Sequence, residues 1–432
     1  MLKKLFGFDS STMSVKTEIL AGLTTFLTMC YILAVNPFIF SNLAGMGYDG
    51  KAVFSSTALA AAIGTLLMAF YAKRPFVMAP GMGMNSFFVF AVCINMGYSW
   101  QFALTAILIE GILFFILTVS GIRMAIVNAI PKSLKNAIAP GIGLFIAFIG
   151  LQNSGLVVPS KDTLVTIGTL NDVHTSLALL GLILCAVFMI FKLKGALLWG
   201  ILITTVIGIP LGVTHYNGFI STPPSIEPIL FKFDWNNVLS ADMFKLVLMF
   251  LSIDLFSSIG SLVSVATKCG EIDKNGNPVG LKKAFFADSA AIITGSCLGV
   301  STTTTFIESA SGIAAGGRSG LTAFTAAVCF ILAMLFSPIF LAIPNAATAP
   351  VLIIVGVFMI TQLKDIDFED YSEGIATFIT LIIMPLAYSI ADGILLGLIT
   401  YVMINVLTGK FKKLNLTLYI LAVLFMLKYA FL

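Results

Sequence analysis

PFVMAPGMGMNSFF (residues 75–88) and GSCLGVSTTTTFIESASG (residues 295–312) are apolar enough to lie in a membrane, yet both are poorly built for a helix. The first carries Pro80, Gly81 and Gly83; the second carries four consecutive threonines, Thr302 to Thr305. Proline removes a backbone donor and β-branched side chains favour extended backbone. Each stretch therefore reads as a short extended run feeding a half-helix. At membrane depth such backbone survives only where protein buries it or a polar cavity satisfies it.

The surrounding chain explains why membrane depth is the right frame. Of 432 residues, 59% are hydrophobic and 10% charged. A soluble domain carries roughly 25% charged residues. A chain this poor in charge needs lipid to cover its surface, and spans of about 20 residues are its natural unit. About fourteen apolar segments can be laid out. Segments 1–7 are 17–41, 51–71, 76–96, 100–120, 133–152, 174–192 and 195–214. Segments 8–14 are 241–267, 281–298, 299–317, 319–341, 344–363, 371–388 and 391–409. Residues 1–16 form a polar N-terminal segment without a cleavage site, 215–240 a Pro-rich outer loop, and 410–432 a basic stretch followed by an apolar one. Residues 414–432 read either as a helix lying on the surface or as an extra span.

Charge supports the layout. With a cytoplasmic N-terminus, nineteen lysines and arginines fall on the inside, and only Lys51, Lys161, Lys232 and Lys245 on the outside, Lys428 being unassigned. That is the positive-inside bias expected of a multi-pass protein of the cell (plasma) membrane, with the N-terminus and the region of residue 410 cytoplasmic.

The two broken stretches also correspond. Asn85 and Glu308 are 223 residues apart, and segments 1 and 8 begin 224 apart. The chain thus reads as an all-α polytopic protein of two seven-segment repeats, 17–214 and 241–409. An odd number of spans inverts the second repeat relative to the first. Inverted repeats with paired broken helices, here segments 3 and 10, are the pattern of secondary transporters that bind cargo near the bilayer midplane.

Other classes find little support. The basic residues do not cluster into a nucleic-acid patch. The six cysteines form no C-x-x-C pair, and two histidines, His174 and His215, give no zinc spacing, so neither metal nor cofactor is expected. No nucleophile–base constellation suggests an enzyme.

Ionisable residues inside apolar segments are costly and mark function. Glu308 follows the threonine run, and Asp254 lies mid-segment in MFLSIDLFSSIGSL. These two form the expected functional pair. Glu110, Asp288 and Asp392 fit structural roles better, although Asp288 joins Glu308 and Asp254 as a proton-coupling candidate, because a carboxylate in low dielectric can exchange a proton near neutral pH. Half-helix ends offer backbone N–H groups near Gly83, and Asn85 adds an amide that both donates and accepts. Thr305 and Phe306 flank the same site. Phe87, Phe88, Phe256 and Phe306 are candidates for stacking on a flat ring. A solute with carbonyl and ring N–H groups would suit this set.

At these residues the chain resembles a known family. TEILAGLTTFLTMCYILAVNP (17–37), APGMGMNSFF (79–88), GIGLFIAFIGLQNSG (141–155) and TTTTFIESASGIAAGGRSGLTA (302–323) are similar to the AzgA-type purine permeases of the nucleobase–cation symporter superfamily. The resemblance runs over nearly the whole chain. It implies fourteen spans arranged as a core domain (17–120 with 241–341) and a gate domain (133–214 with 344–409). It implies import of a purine base such as guanine, hypoxanthine or adenine, with a proton as coupling ion, and contacts to the base from Gly83, Asn85, Asp254 and Glu308. Many members carry an aspartate one turn after the position of Asp254, where this chain has Ser257. Xanthine, uracil or a small organic anion are alternative cargoes on the same fold, and a homodimer is one assembly open to it.

Overall fold

The computed structural model describes residues 2–120, 132–214, 218–269 and 280–414, with residues 418, 419, 422, 423 and 426. His215, most of 414–432 and the polar turn at 273–277 lie outside the described residues, as does the side chain of Phe256. Each expected apolar segment is a helix or a run of short elements. Among the described residues, six helices are long and apolar enough to cross a membrane, Val15–Ser41, Gly50–Ala72, Trp100–Ser120, Asn136–Asn153, Val173–Ile190 and Gly320–Leu341. Shorter apolar helices include Ala196–Gly208, Asn345–Ile360 and Tyr371–Leu386.

The two broken segments meet. Met78–Pro80 and Thr303–Thr305 form an antiparallel two-stranded sheet, with Met78 opposite Thr305, Ala79 opposite Thr304 and Pro80 opposite Thr303. Pro80 and Thr303 are 223 positions apart, the separation of Asn85 and Glu308. Antiparallel pairing of equivalent strands is what a two-fold axis in the membrane plane generates for inverted repeats. The sheet also answers where the backbone polar groups go. Beyond the ladder, Gly81 N–H donates to Thr302 O at 2.9 Å and Phe306 N–H to Val77 O at 3.0 Å. Side chains close the rest: Val77 N–H donates to Ser309 Oγ (2.9 Å) and Met78 N–H to Thr65 Oγ1 (3.0 Å). Threonine and serine thus supply acceptors that water would supply in a soluble protein.

Each strand runs into a short helix. Met82–Ser86 continues as a wide π-helical stretch, Phe87–Asn95, while Ser309–Ala314 is a helix of six residues. Segment 1 is also interrupted: Val15–Met29 ends at Cys30, and a second helix, Ile32–Ser41, begins after Tyr31. A hairpin of Val157–Ser160 with Leu164–Ile167 decorates the loop between segments 5 and 6.

Around this centre the helices pack in two groups. Segments 1 and 2 pack on segment 11, and segment 4 on segment 9. Segment 5 packs on segments 12 and 13, and the segment 6–7 pair on segment 12. Glycines allow close approach where segments 5 and 12 cross, for a Cβ on Gly143 would lie 2.9 Å from Gly356 O. Packing through small residues is the usual driving force where lipid leaves no hydrophobic gain.

Candidate functional site

A cavity of about 880 Å³ lies where the two helix groups face each other. One wall comes from segments 1, 3, 8 and 10 through Tyr31, Gly83, Ser257, Thr305, Phe306 and Glu308. The opposite wall is apolar, with Ile142 and Ile146 from segment 5 and Phe358 and Met359 from segment 12. Lys192 and Lys194, in the turn between segments 6 and 7, line its rim.

Glu308 is the acid the cavity exposes. It stands at the end of the turn after strand Thr303–Thr305, just before helix Ser309–Ala314, and is partly accessible. Tyr31 O–H donates to its Oε1 at 2.7 Å. The two elements are locked side by side: Thr28 and Ser311 hydroxyls lie 2.9 Å apart, and a Cβ on Gly312 would collide with Thr25 Oγ1. The carboxylate is therefore presented by a rigid pair of backbones. Thr305, almost fully buried, lines the same wall, and among the described residues its hydroxyl has no hydrogen-bond partner. An orphan hydroxyl beside a cavity is a group waiting for a ligand or water. Gly83 lies close to the far wall: a Cβ there would come within 2.7 Å of Ile142 Cγ2.

Of the residues expected from sequence, Gly83, Ser257, Thr305, Phe306 and Glu308 come together on the cavity. Asp254 is fully buried one turn before Ser257 and does not line it. Asp288 is also fully buried and accepts from Thr304 Oγ1 at 3.1 Å, which places it behind the strand. Asn85 is buried in a polar chain: it donates to Asn36 Oδ1, accepts from Ser301 Oγ, and Asn36 in turn donates to Thr57 Oγ1 (2.8 Å). Phe87 packs edge-on against Phe250 and Phe88 against Phe40, both away from the cavity. Glu110 is buried within segment 4, and Asp392 lies in the first turn of segment 14. Tyr31, Thr28 and Ser311 were missed. For Thr28 and Tyr31 the sequence signal is a run of polar and aromatic residues, TTFLTMCY, in the first apolar segment; Ser311 lies in the broken stretch 295–312.

Residues 16–420 match a family model described as "Permease family". The chain belongs to that family. It is a transporter. Full-length relatives agree: the adenine permease AdeQ of Escherichia coli is 41% identical over 99% of this chain and 96% of its own length. The guanine/hypoxanthine permease PbuG of Bacillus subtilis is 41% identical over the whole of both chains. Among solved structures, the transmembrane domain of the cyanobacterial bicarbonate transporter BicA superimposes with a TM-score of 0.63 at 17% identity, covering 88% of the permease and 97% of that domain. At that identity the likeness speaks for the fold, a multi-pass helical membrane protein of two repeats.

Proposed function

We propose that this permease imports purine nucleobases by alternating access, and that Glu308 is the group that reads the base. The carrying observation is the Glu308 carboxylate, held by Tyr31 on one oxygen and open to a cavity at the crossing of two paired broken segments. A base offers ring N–H donors to that carboxylate and a carbonyl or ring nitrogen to the Thr305 hydroxyl. Phe306 and the Ile142–Met359 wall cover its flat faces, consistent with cavities that are mostly apolar with few placed polar groups. The names of the relatives, adenine permease and guanine/hypoxanthine permease, support the same solute class.

In this reading the helices of 17–120 and 241–341 form the core and those of 133–214 and 344–409 the gate, and the cavity lies between them. Its rim at Lys192 and Lys194 is cytoplasmic by the charge bias, so this is the inward-facing state, with the N-terminus and residue 410 also inside and the plasma membrane as the location. Rocking of gate on core exposes the site alternately. A proton is the coupling ion, carried by Glu308 with Asp254 and Asp288 behind it, and two copies assemble as a homodimer.

The test is uptake of labelled hypoxanthine in cells lacking other purine permeases. Glu308→Gln should abolish accumulation. Wild-type uptake by that variant, with unchanged pH dependence, removes Glu308 from the mechanism.

A further inference from the structure

A carboxylate with both oxygens open accepts two parallel N–H bonds, which is how it recognises forked donors. Glu308 does not present itself that way. Tyr31 O–H occupies Oε1 at 2.7 Å, and among the described residues no other side chain donates to this group. Tyr31 is buried at the interruption of segment 1, on the wall of the cavity beside Glu308. The Thr28–Ser311 contact, one turn away, fixes the spacing of the two segments. A carboxylate oxygen can accept two hydrogen bonds, so Oε2 is open to a ligand in full and Oε1 only at its remaining lone pair.

Purine bases differ in what they bring to such an acceptor. Guanine carries adjacent N1–H and 2-amino N–H donors that together match a whole carboxylate. Hypoxanthine carries the N1–H without the amino group. Adenine has no adjacent pair of N–H donors on that edge. On the reading of the cavity as a purine site, we infer that Tyr31 sets specificity: it competes for one oxygen of Glu308 and so weakens guanine's second bond, which levels guanine with hypoxanthine. Tyr31 is a positioning residue, acting through Glu308. The amino N–H of guanine then meets an oxygen already drawn on by the phenol and forfeits most of a charge-assisted bond, the kind of loss that dominates discrimination between closely related ligands.

The experiment is competition by unlabelled guanine, hypoxanthine and adenine against labelled hypoxanthine, with the full-length permease in proteoliposomes. In the wild type, guanine and hypoxanthine should inhibit within about threefold of each other. In Tyr31→Phe, with Oε1 released, guanine should gain about tenfold relative to hypoxanthine, the equivalent of one such bond. The adenine-to-hypoxanthine ratio should not move. A merely structural role for Tyr31 would weaken all three bases together. An unchanged guanine-to-hypoxanthine ratio in an active Tyr31→Phe protein overturns the inference. If that variant does not fold, the wild type still decides: guanine tenfold or more tighter than hypoxanthine overturns it, and near-equality upholds it. Failure of the purine reading itself would show separately, as no competition by any base or full uptake by Glu308→Gln.

Discussion

Glu18 and Ser319, 301 positions apart, are joined by a hydrogen bond from the Ser319 N–H to Glu18 Oε2 at 3.2 Å. The same carboxylate accepts the Arg318 N–H (2.9 Å) and the Thr322 hydroxyl (2.5 Å) and is almost wholly buried. It thereby satisfies the two backbone donors that lead into helix Gly320–Ala333, whose N-cap Ser319 accepts the Leu321 N–H. A negative group at a helix N-terminus is also favoured by the helix dipole.

Removing that carboxylate leaves several buried donors unpaired. Glu18→Ala should destabilise the permease by about 3 kcal/mol, from the orphaned N–H groups and the lost partner of the Thr322 hydroxyl. Glu18→Gln keeps one acceptor oxygen and should lose about half as much. Thermal unfolding in detergent measures both. An alanine variant as stable as the wild type would show that water replaces the carboxylate.

Gly83 approaches Ile142 of the opposite cavity wall with no space for a methyl group, since its Cβ would fall 2.7 Å from Ile142 Cγ2. Isoleucine is stiff at χ1 and cannot yield cheaply. Overpacking of this kind costs about 1–3 kcal/mol. Gly83→Ala should therefore lower the transport efficiency for hypoxanthine about tenfold. Ile142→Ala in the same chain should restore most of it, because the clash is pairwise. If the double variant is as impaired as Gly83→Ala alone, the glycine acts otherwise than through Ile142.

Asn85 donates to Asn36 and accepts from Ser301, a buried chain that ties segments 1 and 3 to the entry of strand Thr303–Thr305. Asn85→Ala should cost about 2 kcal/mol by orphaning its partners. Adding Ser301→Ala should cost little more, because the two act in one network. Uptake lost with stability unchanged would instead assign Asn85 to direct contact with cargo.

The fold was legible because lipid imposes a simple rule: apolar segments of a set length, positive charge on one side, and Pro, Gly or threonine runs where helices break. The equal spacing of Asn85 from Glu308 and of segment 1 from segment 8 even exposed the repeat, and Pro80 opposite Thr303 gives it a geometric form. Glu308 and Thr305 were legible on the cavity for the same reason, as polar residues that lipid would not tolerate. Tyr31 was not, because its partner lies 277 positions away and nothing local marks the pairing. The interruption at Cys30–Tyr31 has no glycine or proline of its own; the nearest signal is Pro37, inside helix Ile32–Ser41. Ser257 reaches the cavity while Asp254 does not, a distinction set by helix phase against neighbours that the sequence leaves open.

Asp172 caps helix Val173–Ile190 outside the membrane, accepting the Thr175 N–H at 2.9 Å and its hydroxyl at 3.1 Å. These two bonds hold its carboxyl below the usual carboxylate range. A depressed folded-state value means that the contribution is present above the unfolded value, about 3.9, and is lost as pH falls through the folded value. The stability difference between wild type and Asp172→Ala should thus be constant from pH 7 to pH 5 and shrink below pH 4. Unfolding in detergent across that range measures it, and a difference that stays constant to pH 2 would rule out titration of this cap.

Tyr388 sits between helices Tyr371–Leu386 and Ile390–Leu407 with φ of 51°, a left-handed conformation unusual for an aromatic residue. Such backbone costs of order 1–3 kcal/mol and persists only where surroundings over-determine it. Here they do: the phenol donates to Gln152 Oε1, and the ring packs edge-on against Phe145 (5.6 Å) and Phe148 (5.8 Å) on segment 5. The hydrogen bond thus couples the turn between segments 13 and 14 to the helix that forms the apolar wall of the cavity. Tyr388→Phe and Gln152→Leu should each destabilise the permease by about 1 kcal/mol, and the double variant by no more than the larger single loss. Tyr388→Gly relieves the strained φ but removes the ring, so it should be the least stable of the set. A double variant whose loss equals the sum of the two single losses would show that the pair is not coupled, and a Tyr388→Gly protein more stable than wild type would show that strain outweighs the ring's packing.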